Sequence, residues 1–74
     1  MRRPIKRSVA IRGHRTSLSL EPEFWDELKH IADARGLSLA ALIAEVDLAR
    51  GEAPGTNLSS ALRVFVLKKL CGRT

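Results

Sequence analysis

The chain has 74 residues, one cysteine and a formal net charge of +5. This length fits a single domain, and a single cysteine excludes a disulfide within the chain. A domain this small, without disulfides, favours oligomerisation as a further source of stability. No apolar run approaches the roughly 20 residues that span a bilayer and no signal-peptide pattern is visible, so the sequence predicts a cytoplasmic protein without membrane insertion.

The charges fall into three blocks. Residues 1–15 carry six Lys or Arg and no acid, residues 16–56 carry three bases and eight acids, and residues 57–74 carry four bases and no acid. A concentrated basic block favours a polyanionic partner, most simply nucleic acid, because each neutralised phosphate releases counterions. A solvated, solubilising tail is the alternative. The N-terminal residues that we predict to contact phosphate are Arg2, Arg3, Lys6, Arg7 and Arg12.

The N-terminal region divides into an arm and two short strands. Residues 1–7 lack hydrophobic periodicity, which predicts a flexible basic arm, and residues 8–74 form the single predicted domain. Alternation over residues 8–12 and again over residues 15–20 predicts two strands, with a turn at residues 13–14. A strand must pair to satisfy its backbone hydrogen bonds, either within the chain or with a second copy, and both arrangements remain open here.

Two helices follow the second strand. Pro22 suits a first helical position and nearby acids suit the positive end of the helix dipole, so the first helix is predicted from residues 21–22 to about Arg35, before Gly36. Ser38 is a good N-cap for the second helix, which Gly51 closes. The short connection excludes a separate domain between the helices.

A third helix is predicted from the N-cap Asn57 to Leu70, after a breaker that contains Pro54 and Gly55. Its interior is apolar around most of its circumference, which requires burial on more than one side and argues for oligomerisation. Its polar strip of Ser59, Ser60 and Arg63 is either a polar contact of the first turns or the solvent side.

The order of strand, helix, short turn and Ser-capped helix resembles the ribbon-helix-helix domain family. More narrowly, G-H-R-T-S-L-S-L-E-P-E-F-W at residues 13–25 and N-L-S-S-A-L-R-V-F-V-L at residues 57–67 resemble a small group of alphaproteobacterial proteins of this family. The resemblance covers residues 7–70. It implies a mostly α fold with a short N-terminal β ribbon, an extra C-terminal helix and an intertwined homo-oligomer.

The resemblance also implies a DNA-binding site. An antiparallel ribbon, one strand from each subunit, would enter the major groove and contact bases through Arg15, Ser17 and Ser19. The family's phosphate anchor corresponds here to Ser38 and the backbone N–H of Leu39. The residues expected at the oligomer interface of a dimer, or of a tetramer built through the third helix, are Leu18, Leu20, Trp25, Leu42, Val46, Leu62, Phe65 and Val66.

Catalytic and metal chemistry have little support in the sequence. The two histidines and Cys71 match no standard ligand spacing, and no phosphate loop, nucleophile elbow or carboxylate pair is recognisable. We therefore expect a non-enzymatic protein without a cofactor or a small-molecule substrate. Asp47, at the margin of the second helix's apolar face, is expected to be exposed, or else paired with a partner such as Arg63.

Two functions are consistent with these patterns. The first is a small transcriptional regulator that binds duplex DNA through a dimeric antiparallel β ribbon, in the nucleoid of the cytoplasm. The second is an oligomeric protein-interaction module of the same fold that does not bind DNA specifically. Salt-dependent DNA binding distinguishes the first from the second.

Overall fold

The computed structural model describes residues 2–50 and 57–72. Two strands are followed by three helices. The elements are β1 (Ile5–Ile11), β2 (His14–Leu20), α1 (Pro22–Ala34), α2 (Leu39–Arg50) and α3 (Leu58–Leu70). This order confirms the predicted fold class, a short antiparallel ribbon at the N-terminus followed by the helices of a ribbon-helix-helix domain and one extra helix.

The ribbon is a β-hairpin formed within one chain. β1 and β2 pair antiparallel from Ile5↔Leu20 to Ile11↔His14, and within the described residues they form a two-stranded sheet. The two residues between them, Arg12 and Gly13, have φ angles of 49° and 82°. Positive φ at both central positions defines a type I′ turn, whose twist matches that of the two strands. β2 therefore pairs with a strand of the same chain, β1.

The hairpin corrects two sequence predictions. The turn lies at residues 12–13 rather than 13–14, because Gly13 is needed as the second of the two positive-φ residues. β1 also begins at Ile5 instead of Ser8, so residues 5–7, which were assigned to a flexible arm, are paired with residues 18–20. Hydrophobic periodicity could not indicate this extension, since only Ile5 in that segment is apolar.

The helix boundaries agree closely with the sequence predictions. Pro22 opens α1, and Gly36, with a φ of +69°, follows its C-cap Arg35. The Ser38 hydroxyl accepts a hydrogen bond from the Ala41 N–H at 3.1 Å and caps α2. Asn57 caps α3 by accepting a hydrogen bond from the Ser60 N–H at 2.8 Å. α1 and α3 thus begin and end close to the predicted positions, and α2 begins at its Ser38 cap. The predicted end of α2 at Gly51 and the breaker with Pro54 and Gly55 lie outside the described residues.

The core lies between the hairpin and the three helices. α2 packs against β1, α3 packs against β2, and the helices pack against one another. Every element contributes at least one apolar side chain to this core. The buried side chains are Ile11, Leu18, Leu20, Leu28, Ala32, Leu42, Ile43, Val46, Leu62 and Val66.

Candidate nucleic-acid interface

The side of the hairpin that faces away from the helices carries six exposed side chains. Strand alternation and the register of the pairing place them opposite one another in three pairs. The pairs are Lys6 with Ser19, Ser8 with Ser17, and Ala10 with Arg15. We call these six residues the outer face. It contains two cations, three hydroxyl groups and no carboxylate, so it presents hydrogen-bond donors under a positive potential.

The three predicted base-contact residues lie together on this face. Arg15, Ser17 and Ser19 are exposed and alternate along β2, as the sequence indicated. Lys6, predicted as a phosphate contact, lies on the same face opposite Ser19. Ser8 was not among the predicted DNA contacts. The alternation of the first strand was visible, but its register with β2 depends on the position of the turn.

The four arginines near the N-terminus that were predicted to contact phosphate lie in different surroundings. Arg3 is exposed, and Arg2 forms an exposed ion pair with Glu23, with Nε 3.4 Å from Oε2. Arg12 donates to Asp47 Oδ2 over 2.7 Å. Arg7 lies over the Trp25 ring, 4.4 Å from its centroid, and its Nε is buried without a hydrogen-bond partner among the described residues.

Arg7 and Arg12 are therefore oriented differently from the prediction. Arg7 points towards the helices because it alternates with Lys6 along β1, and an aromatic face stabilises its cation there. Arg12 lies in the turn, where its guanidinium pairs with Asp47. The Asp47 side chain is only 15 % exposed, which corrects the expectation that it is exposed or paired with Arg63. Neither arginine extends from the outer face.

The predicted phosphate anchor lies at the start of α2. Ser38 is exposed, and its hydroxyl is already engaged as the cap of the helix. Leu39 is half-buried and packs against the core. The backbone N–H groups of the first turn of a helix suit an anion. Phosphate binding at the start of α2 therefore remains a prediction.

Most of the predicted oligomer-interface residues lie in the core of the single chain. Leu18, Leu20, Leu42, Val46, Leu62 and Val66 are buried by the chain's own helices and hairpin. Their side chains are not available to a second copy in this arrangement, because the hairpin and the helices pack against one another over them. Trp25 and Phe65 are half-buried at the margin of the core.

A different set of apolar side chains is exposed on the helices. Leu48 of α2 is 66 % exposed, and α3 exposes Val64, Leu67 and Leu70 by 49 to 64 %. Val64 and Leu67 are three residues apart on α3 and therefore lie on the same face of the helix. Sequence periodicity indicated that α3 has too much apolar surface for one core, but only the packing shows which residues remain outside it.

An ion pair connects the end of the hairpin with α3. Arg63 donates from Nε to Glu21 Oε1 over 2.8 Å and from a terminal nitrogen to Oε2 over 3.3 Å. This hydrogen bonding from Arg63 is the main cause that lowers the pKa of Glu21 below its ordinary value of 4.5. The carboxylate is thus charged at neutral pH and holds the guanidinium in a fixed position beside β2.

Neither a metal-binding cluster nor a membrane-spanning helix is present among the described residues. In residues 2–50 and 57–72, no cluster of three or more His, Cys, Asp and Glu side chains has metal-binding geometry. No helix in these residues is long and apolar enough to cross a membrane. Cys71 is exposed beyond the end of α3 as a free thiol.

Comparison with known proteins identifies the family. The sequence model of the ribbon-helix-helix domain matches residues 4–70, which is nearly the whole chain. The chain therefore belongs to the ribbon-helix-helix domain family, whose members are generally non-enzymatic, DNA-binding regulators that typically form dimers. Comparisons with curated proteins and with solved structures gave no match.

Proposed function

We propose that this chain is a DNA-binding transcriptional regulator that inserts the outer face of its hairpin into the major groove. The observation that carries the proposal is the composition of that face: two cations and three hydroxyls, all exposed, without a carboxylate. A two-stranded ribbon fits the major groove of B-DNA, which is about 12 Å wide. DNA binding implies a cytoplasmic, nucleoid-associated protein.

The side chains of the outer face have distinct roles in this proposal. Arg15 extends a guanidinium that can bind guanine O6 and N7 with two hydrogen bonds. The hydroxyls of Ser17 and Ser19 contact either donors or acceptors on base edges, so they discriminate less strongly than Arg15 does. Lys6 adds a charge that stabilises any duplex. This composition favours appreciable affinity with modest sequence specificity.

A binding titration tests the proposal with one matched pair of variants. The Arg15→Ala variant should bind genomic DNA fragments about tenfold more weakly than the wild type, as expected for the loss of one arginine–guanine contact. Arg35→Ala removes the same charge at the end of α1, outside the outer face, where Arg35 pairs with Glu45 over 3.0 Å, and should weaken binding less than Arg15→Ala does. Fluorescence anisotropy at low and high salt measures both.

Two results would contradict the proposal. One is the absence of any salt-dependent binding by the wild-type chain at low ionic strength, where electrostatic binding is strongest. The other is an equal loss of affinity in the two arginine variants, which would indicate a general charge effect instead of contact through the outer face.

We further propose that the functional form is a homodimer joined through the exposed apolar side chains of α2 and α3. Support comes from Leu48, Val64, Leu67 and Leu70, whose large apolar surfaces are costly to leave in water. Joining the copies through the helices leaves the outer face of each hairpin free. Two hairpins related by a twofold axis would then contact two half-sites on the DNA.

Solution mass tests the dimer. Light scattering should give twice the chain mass for the wild type, or four times if two dimers associate. Leu67→Glu places a charge in the proposed interface and should give a monomer. Lys68→Glu changes the neighbouring exposed residue and should leave the mass unchanged. A wild-type chain that stays monomeric at every concentration would contradict this arrangement.

A protein-interaction module remains the second candidate, favoured by the same exposed apolar residues. In that case the outer face would be an ordinary solvated surface. Pull-down of one specific protein that is abolished by Leu67→Glu, together with absence of DNA binding, would support this function over the first.

A further inference from the structure

A groove with a volume of about 330 Å³ lies between β2 and the first turns of α3. Three of its polar residues belong to the outer face of the hairpin and the other three to the beginning of α3. They are Lys6, Ser17 and Ser19, with Asn57, Ser59 and Arg63. The described residues that line the groove include no Asp or Glu. The groove therefore offers cations and hydroxyl donors to an anion.

The cation on the α3 side is held in place. Arg63 uses two of its N–H donors in the bonds to Glu21, and its side chain remains 33 % exposed. A guanidinium carries five such donors, so the bonds to Glu21 do not exhaust it. Ser59 is half-buried beside it, one turn earlier on the helix.

The position of the groove relates it to DNA. A ribbon that enters the major groove has one phosphate backbone on each of its two sides. Lys6, Ser17 and Ser19 line the groove and also belong to the outer face. A phosphate backbone on the β2 side would consequently pass next to the groups that α3 contributes.

A second, larger cavity near the hairpin turn provides a contrast. It has a volume of about 540 Å³ and its lining includes Asp47 beside Arg12. Arg12 is already paired with that carboxylate over 2.7 Å, which leaves little positive potential for an anion. In the smaller groove Arg63 is likewise paired, with Glu21 over 2.8 Å, but Lys6 supplies a second cation there. Because none of its described lining residues is acidic, the smaller groove keeps a positive charge and is the better anion site of the two.

We propose that the groove between β2 and α3 binds a phosphate group of the DNA backbone that flanks the hairpin. Lys6 and Arg63 neutralise the phosphate charge, and the Ser59 hydroxyl donates a hydrogen bond to a phosphate oxygen. This inference rests on the proposed DNA binding through the outer face. It assigns to the extra helix α3 a direct role in holding the duplex, besides its role in the core.

The test uses two neighbouring serines of α3. Ser59→Glu introduces a negative charge into the groove, whereas Ser60→Glu introduces the same charge at an exposed residue that does not line it. Both sites lie in the first turn, where an acidic side chain is favourable for the helix dipole, so both variants should fold. Circular dichroism and thermal unfolding verify this before binding is measured.

Anisotropy titrations of a fluorescent duplex, at about 50 and 200 mM salt, give the binding result. Ser59→Glu should weaken binding about tenfold, and the slope of log affinity against log salt should fall by about one, as for one lost phosphate contact. Ser60→Glu should bind within about twofold of the wild type.

Three outcomes separate the alternatives. Equal affinities for the two glutamate variants overturn the phosphate site but leave the proposed function intact. Absence of DNA binding by the wild type means that the proposed function itself has failed. A change of solution mass in Ser59→Glu but not in Ser60→Glu shows that a second copy's strand occupies the groove along the free edge of β2, which also overturns the inference.

Discussion

The two faces of the hairpin differ in burial and in polarity although the same two strands form both. Towards the helices, Leu18 and Leu20 are 5 % and 0 % exposed. Away from the helices, Ser17 and Ser19 are exposed to solvent. Since side chains alternate along a strand, a shift of one residue changes a core position into a surface position. Stability and recognition are therefore encoded by alternate residues of one short segment.

The largest expected effect is on stability, and it comes from the inner face of the hairpin, the face that packs against the helices. Leu20→Ala removes a fully buried side chain and should lower the free energy of unfolding by about 2–5 kcal/mol. The neighbouring change Ser19→Ala lies on the outer face and should alter it by less than about 0.5 kcal/mol. Urea denaturation at fixed protein concentration measures both. Similar losses in the two variants would show that the faces are not separated as the structure indicates.

The turn that keeps the two faces in register is the next target. Gly13 has a φ of +82°, and a Cβ at this position would meet no other atom within 4 Å. The cost of Gly13→Ala therefore comes from backbone conformation alone and should be about 1–2 kcal/mol of unfolding free energy. Asn tolerates the left-handed region, so Gly13→Asn should lose less. If alanine and asparagine are equally destabilising, the type I′ turn is not the cause.

The turn also shows how far the sequence predicts this fold. Alternation and capping residues were sufficient for β2 and for all three helices, because those signals are local. The predicted turn was one residue too late in the chain. Gly13 marks a turn, but the sequence pattern does not show whether Gly13 is its first or its second central residue. The Arg12–Asp47 pair joins residues 35 positions apart, and no local pattern contains that information.

The candidate site was predictable to a similar extent. Arg15, Ser17 and Ser19 follow from alternation within one strand. The direction of Arg7, however, follows from alternation only when β1 begins at Ile5, and the sequence pattern predicted a strand that begins at Ser8. The groove between β2 and α3 depends on the packing of the third helix against the hairpin, which periodicity alone does not specify.

Lys6 and Arg7 are consecutive cations on opposite faces and provide a paired test. Arg7→Ala removes the cation over the Trp25 ring and should lower the unfolding free energy by about 0.5–1 kcal/mol. It should change DNA affinity little. Lys6→Ala should do the reverse, with unchanged stability and a DNA affinity that is weaker and less sensitive to salt. Urea denaturation measures the unfolding free energy and anisotropy measures the DNA affinity, on the same preparations. A variant that changes both properties would contradict the division of stability and DNA binding between the two faces.

The smallest effect concerns the ion pair at the end of the hairpin. Hydrogen bonding from Arg63 keeps the pKa of Glu21 below 4.5 in the folded chain. A lowered carboxyl pKa contributes stability that is fully present above the unfolded-state value and is lost as the pH falls through the folded-state value. The wild type should therefore be more stable than Glu21→Gln near neutral pH, and the difference should shrink below about pH 4.5.

Glu23 provides the control for this pH dependence. Its pKa is also lowered, chiefly by its own backbone N–H at the start of α1, and Arg2 contributes less. Glu23→Gln should consequently lower the stability near neutral pH, by a difference that shrinks at low pH, without disturbing Arg63. Glu21→Gln, in contrast, leaves Arg63 without its carboxylate beside the groove. If the phosphate site requires a positioned Arg63, only Glu21→Gln should also alter DNA affinity, and equal effects of the two variants on binding would show that Glu21 contributes nothing beyond its charge.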